Sequence, residues 1–211
     1  IYYSILEAIA TGNNTNSAIA SYIGAQPTSI TRQISELKDY FEIIEFEMPY
    51  SGKRGIYKIK HPLMSFWFSE IYKNFSDYAA RKPEFIDALK KNMNTVYGKA
   101  FEKAAGEFLI SELGLMEARR QWGRIPGAEK GKNAYEIDLI GKNKNGVSAF
   151  EFKWKDLEHN EAIGELNELR NRAKHVHKLP PDVKFGLVAK RIKEKKKLRA
   201  AGYLAYDIED F

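Results

Sequence analysis

The sequence predicts a mixed α/β chain: a helical N-terminal part closed by a short hairpin, then a C-terminal part in which helices flank a central mixed sheet. Three observations predict it. Apolar residues recur at helical spacing from Ile1 to Leu37. Two strand-like runs, Ile43 to Met48 and Ile56 to Ile59, flank a glycine-bearing turn. Beyond Gly114 the apolar period changes from that of a helix to that of a strand.

Taken in order, Ile1, Ile5, Leu6 and Ile9 mark a first helix, stopped at Thr11-Gly12-Asn13-Asn14. Asn16 or Ser17 can cap a second, which Gly24 ends. Pro27 suits the first turn of a third helix carrying Ile30, Ile34 and Leu37 on one face. The turn Ser51-Gly52-Lys53-Arg54-Gly55 joins the two strand-like runs. Three helices followed by a basic hairpin describe a winged helix-turn-helix over residues 1–60. Residues 61–94 read as a helical connector, with Phe66, Trp67 and Phe68 as core, and with a separate helix from Pro83 to about Asn92. Residues 95–211 read as the α/β domain. It opens with a helix from Val96 to Leu113. Strands follow at Trp122, at Tyr135 to Ile140 and at Val147 to Trp154, the last two joined by a turn from Gly141 to Gly146. A helix from Glu161 to His177, a strand from Val183 to Val188, a charged helix from Ile192 to Ala201 and a strand from Tyr203 to Ile208 complete it.

Among 211 residues, 44% are hydrophobic, which supplies real cores and excludes a disordered chain. The net charge of +6 favours anionic partners, nucleic acid first. With no cysteine, disulfides and thiolate metal sites are excluded and a cytoplasmic setting is expected. No apolar run has the length of a membrane span. A start inside an amphipathic segment, without methionine, predicts a piece of a longer chain.

The chemistry lies in two alternating segments. In Glu136-Ile137-Asp138-Leu139-Ile140, alternation puts Asp138 on a face with Glu136, opposite Ile137 and Leu139. In Ala149-Phe150-Glu151-Phe152-Lys153-Trp154, Glu151 and Lys153 share one face and the aromatics the other. Adjacent strands would set Asp138, Glu151 and Lys153 side by side. Two close carboxylates repel unless a cation lies between them, and Mg²⁺ or Mn²⁺ suits such oxygen ligands. Lys153 can stabilise negative charge on the attacking water or the phosphate. Glu102 on the preceding helix is the candidate third carboxylate, with Glu107 on the same helix as its rival.

The order Glu102, Asp138, Glu151-x-Lys153 resembles the restriction-endonuclease-like PD-(D/E)xK nucleases, and archaeal Holliday-junction resolvases among them, over about Val96 to Phe211. Ile137 stands where the motif's name has proline. The resemblance implies Mg²⁺-dependent phosphodiester cleavage, with Glu102, Asp138, Glu151 and Lys153 catalytic and Asp138 and Glu151 as metal ligands. The whole chain, including His61-Pro62-Leu63-Met64-Ser65-Phe66-Trp67-Phe68, is similar to the C-terminal half of archaeal AAA-type (STAND-like) ATPases. That likeness implies an upstream ATPase domain as partner. This chain itself has no nucleotide-binding loop, since Gly127-Ala128-Glu129-Lys130-Gly131-Lys132 is short between its glycines and lacks the Ser/Thr.

In the winged helix, Thr28, Arg32 and Gln33 are placed to read bases, and Lys53 and Arg54 to meet phosphates from the wing. DNA is the expected partner, and a homo-oligomer is open. A docking module with an inert carboxylate site is the alternative, because winged helices also bind proteins and Glu36, Asp39 and Glu42 make the region after the third helix acidic. His159, His175 and His177 carry no zinc spacing. The run from Lys190 to Arg199 reads first as a solvated basic face.

Overall fold

A computed structural model describes residues 1–129 and 133–211, so the Lys130-Gly131-Lys132 end of the glycine stretch compared above with a phosphate loop lies outside the described residues. The chain divides into two units, Ile1–Glu47 with Arg54–Val96, and Met48–Lys53 with Tyr97–Phe211. The stretch expected as a connector, residues 61–94, therefore lies wholly within the first unit. Its boundary falls inside a helix.

In the first unit, α1 (Tyr2–Ala10) and α2 (Asn16–Tyr22) precede a helical segment built of a 3-10 turn (Pro27–Ile30), α3 (Thr31–Ser35) and a π turn (Glu36–Tyr40). Strands β1 (Ile44–Glu47) and β2 (Ile56–Ile59) pair antiparallel, Ile44 opposite Ile59. The cap of α2 is Thr15, whose hydroxyl accepts the Ala18 N–H at 3.2 Å, rather than Asn16 or Ser17. Thr15→Ala is expected to lower stability by about 1 kcal/mol, read as a lower urea midpoint at unchanged slope. Ile5, Ile9, Ile19, Ile30, Ile34, Leu37 and Ile44 make the core, and Phe68 joins it from the turns that follow α4 (Pro62–Phe66). A short α5 (Phe75–Ala79) follows.

The two helices expected on either side of residue 94 are one, α6 (Pro83–Leu113), 31 residues long. Asn92, Asn94 and Thr95 are weak helix formers, but each costs only a fraction of a kcal/mol, and neither Gly nor Pro interrupts them.

The second unit holds a five-stranded sheet in the order β3 (Glu117–Arg124), β4 (Ala134–Asn143), β5 (Gly146–Leu157), β6 (Lys184–Ile192), β7 (Leu204–Asp207). Strand β4 runs antiparallel to both of its neighbours, β3 and β5, while β6 and β7 run parallel to β5. The β4–β5 turn is only Lys144-Asn145, not six residues, because both strands extend further than their apolar alternation. Gly146 follows it at φ +124°, a conformation that glycine adopts freely.

Helix α7 (His159–Ala173) makes the crossover to β6. It opens on a capping box in which Glu158 N–H donates to Glu161 Oε2 at 2.9 Å. The expected charged helix from Ile192 to Ala201 is instead the end of β6, a turn and a short α8 (Lys195–Ala200). Two of its basic side chains are tied down, Lys195 to Asp207 and Asp210 at 2.7 and 2.6 Å and Arg199 to Asp210 at 3.0 Å.

Each face of the sheet carries a core. Phe101, Ala105 and Leu109 of α6 pack on Leu139, Phe150, Phe152 and Val188. On the other face, Leu169 and Ala173 of α7 pack on Ile137, Ile140 and Ala149, and Ala162 and Leu166 on Leu187 and Ala189.

Candidate active site

Strand β5 alternates as its sequence predicts. Phe150 and Phe152 enter the α6-side core. Glu151 and Lys153 face α7, whose side chains they meet.

Strand β4 does not alternate as expected. Ile137 and Ile140 both lie in the α7-side core, while Leu139 lies in the α6-side core. The register against β3 explains this. Arg119 is opposite Ile140 and Gln121 opposite Ile137, so β4 carries one extra residue over the same span. This bulge at Asp138-Leu139 corrects the placement of Ile137 and Leu139 on one face. Bulges re-aim side chains and end pairing, and this one does both. Pairing of β4 with β5 stops at Leu139 and Phe150. Asp138 then offers its side chain where a ladder carbonyl would stand, Oδ2 accepting the Phe152 N–H at 2.7 Å.

The result is a fork between β4 and β5 holding two sheltered carboxylates. Burial, then the charge of Glu151, push the Asp138 carboxyl up to about 7, against a partial offset from the Phe152 N–H; Glu102 and Glu136 add to the rise. Glu151 is 5% exposed in its side chain. Lys153 Nζ lies 2.9 Å from Glu151 Oε1 and 3.2 Å from Glu165 Oε2. Burial works against the Lys153 charge, but the hydrogen bond and charge of Glu151, with those of Glu165, outweigh it and hold the ammonium's pKa above its ordinary value.

Glu102, half-buried on α6, bears electrostatically on Asp138. Its rival Glu107 is exposed and lies 3.9 Å from Lys103. All four residues singled out by sequence thus belong to one electrostatic cluster. Two members were missed, Glu165 and Arg172. Both lie on α7, two helical turns apart, just before the buried Leu166 and Ala173. Two charges repeating at the margin of an apolar stripe are the signal that could have found them.

The donor set suits a hard cation. Every candidate ligand is a carboxylate oxygen, and Glu151 Oε2 is buried without a hydrogen-bond donor. Among the described residues, no group of three or more His, Cys, Asp or Glu side chains is placed to hold a metal ion. Mg²⁺ does not need one, since it is commonly held by one or two carboxylates and keeps several waters. Asp138 and Glu151 fit that pattern. His159, His175 and His177 form no such group either.

The residues expected to read DNA are spread over both units. Thr28 is exposed on the 3-10 turn. Arg32, with an 84% exposed side chain, lies 2.8 Å from Glu36, an exchangeable surface pair. Glu36 also accepts from the Tyr2 hydroxyl. Gln33 is half-buried, and its Oε1 is shielded from solvent, so it does not stand out as a free reader of bases. Lys53 is exposed in the second unit and Arg54 in the first.

Residues 67–164 match the family described as archaea bacterial proteins of unknown function. The chain is 33% identical over 225 residues to the uncharacterized protein MJECL04 of Methanocaldococcus jannaschii, covering all of this chain and 48% of that protein. The chain thus spans about half the length of that relative. Among solved structures, a repair endonuclease from Pyrococcus abyssi aligns with 50% of this chain and 45% of its own, at 18% identity and a TM-score of 0.31. Protein VC1899 from Vibrio cholerae aligns with 99% of this chain and 47% of its own, at 12% identity and a TM-score of 0.37. An EndoMS–double-stranded DNA complex aligns with 50% of this chain and 42% of its own, at 18% identity and a TM-score of 0.26. At these scores the likeness decides neither fold nor activity. Among the described residues, no helix is long and apolar enough to cross a membrane.

Proposed function

We propose that this chain is the DNA-positioning and phosphodiester-cleaving part of a larger protein, a winged helix-turn-helix followed by a restriction-endonuclease-like domain. One observation carries the reading: Asp138 and Glu151 meet at a fork in the sheet with the Lys153 ammonium 2.9 Å from Glu151. Asp138 and Glu151 would hold Mg²⁺ or Mn²⁺, and Glu102 deepens the negative potential there. A divalent ion bound to them supplies Lewis acidity toward a phosphoryl oxygen. Lys153, fixed by Glu151 and Glu165, is placed to offset charge developing on the phosphate. The basic balance of the chain favours DNA as substrate, with Thr28, Arg32, Lys53 and Arg54 as candidate contacts. An ATPase domain upstream fits a relative about twice this chain's length.

The expected result is nicking of supercoiled DNA that requires Mg²⁺ or Mn²⁺ and falls by about a hundredfold or more in Glu151→Ala and in Lys153→Ala. Cleavage that survives both substitutions removes this mechanism. The internal pairing of Lys153 with Glu151 and Glu165 favours a second reading, a binding module whose carboxylates only hold strands together. Salt-sensitive DNA binding without cleavage, unchanged in both variants, would select it.

A further inference from the structure

Beyond Leu139 and Phe150 the two strands of the fork lack each other's backbone hydrogen bonds. Arg172 spans the gap from α7. Its Nη1 donates to the Glu136 carbonyl at 2.9 Å, and its Nη2 lies 3.0 Å from Glu151 Oε2. The second contact is an ion pair without hydrogen-bond alignment, so Glu151 Oε2 is charge-balanced yet has no donor. A guanidinium is thus held against an oxygen that suits a divalent ion.

We infer that Arg172 is an internal counter-ion of Glu151 at the fork with Asp138, standing in for a divalent cation and leaving Glu151 when one binds; the inference rests on reading this site as a metal centre. A sheltered carboxylate is costly unless its charge is compensated, and in the ion's absence Lys153 at Oε1 and Arg172 at Oε2 share that role at Glu151. Lys153 does not exchange so readily, because its single ammonium is pinned between Glu151 and Glu165. Arg172 can exchange. Its side chain is 25% exposed, which gives the guanidinium a route to water, and its contact with Glu151 is poorly aligned. Its bond to the Glu136 carbonyl is separate from the Glu151 contact, so the β4 side of the fork can stay tethered as the other nitrogen withdraws.

A counter-ion and a simple clamp predict opposite effects. Removing a competing positive charge strengthens cation binding, by about tenfold or more at this separation and an intermediate dielectric. Removing a clamp lets the carboxylates splay, and binding weakens. The test is Mn²⁺ binding by calorimetry, without DNA, to wild type, Arg172→Gln and Arg172→Met, the first of which retains a donor for the Glu136 carbonyl. Tighter binding to the variants than to wild type, including binding by the variants alone, is the expected result. Binding to wild type with equal or weaker binding to the variants overturns the counter-ion role and leaves the proposed nuclease standing. Binding to none of the three proteins overturns both. Should the variants fail to fold, nitrogen NMR of the Arg172 side chain in wild type during Mg²⁺ titration decides: a shift tracking occupancy supports the exchange, and saturation by Mg²⁺ with the Arg172 signals unmoved overturns it.

Discussion

Asp138→Asn is expected to abolish metal-dependent cleavage and, at pH 8, to make the protein harder to unfold. The wild-type carboxyl is pushed up from an ordinary 3.8 to about 7, by burial first and by the Glu151 charge second. A group whose pKa is raised on folding favours the folded state in its protonated form. That contribution is complete below about pH 4 and is lost as pH climbs through 7. Asparagine stays neutral throughout, and its amide oxygen can still accept the Phe152 N–H that Asp138 Oδ2 takes at 2.7 Å. The gain over wild type should therefore be small near pH 4 and grow toward pH 8, to at most roughly 4 kcal/mol. Urea unfolding of both proteins at the two pH values measures it. A variant no more stable than wild type at pH 8 would mean that the ionised carboxylate is well solvated or paired in the folded chain. Such an exchange of stability for activity is usual where a site holds unfavourable charge together.

Gly186→Ala is expected to destabilise the second unit by about 3 kcal/mol or more. Gly186 is paired with Phe150 across β5 and β6. A Cβ added there would stand 2.2 Å from Phe150 Cε1, 2.4 Å from Cδ1 and 3.0 Å from Leu204 Cβ. The Phe150 ring is fully buried, so it cannot swing into solvent to make room. Phe150→Leu alone removes packing volume and should cost about 1–3 kcal/mol, less than truncation to alanine. Combined with Gly186→Ala it frees the space that the methyl needs, so the double variant should be more stable than the sum of the single losses by about 1–2 kcal/mol. Strict additivity in a denaturant double-mutant cycle would show that the ring and the glycine do not share that space. Because Phe150 precedes Glu151, the single alanine variant should also lose cleavage activity more steeply than stability.

Much of this site could be read from β5 alone. Phe150, Phe152 and Trp154 alternating with Glu151 and Lys153 assign both faces of a strand without further information. Asp138 was found by its neighbourhood and placed by the wrong geometry. The bulge that aims it depends on how β4 registers against β3 between Arg119 and Gln121, a long-range match that no local period encodes. Glu165 and Arg172 escaped for a related reason. Their spacing is visible, but that α7 lays its margin over Glu151 follows only from the crossover to β6. Helix α6 shows the converse failure, since the chain makes no break between the two helices expected there, and the weak helix formers Asn92, Asn94 and Thr95 cost too little to end one.

The sheet's connectivity implies an order of events during folding. β4 and β5 are separated by two residues, whereas β5 reaches β6 only after the whole of α7 has been laid down. Closing a short loop is entropically cheaper than closing a long one, so the hairpin is expected to zip before the helix settles on it. The acidic fork would then exist for a time as a hydrated cleft, and a nascent chain would meet divalent ions in the surrounding solvent before its own arginine arrives.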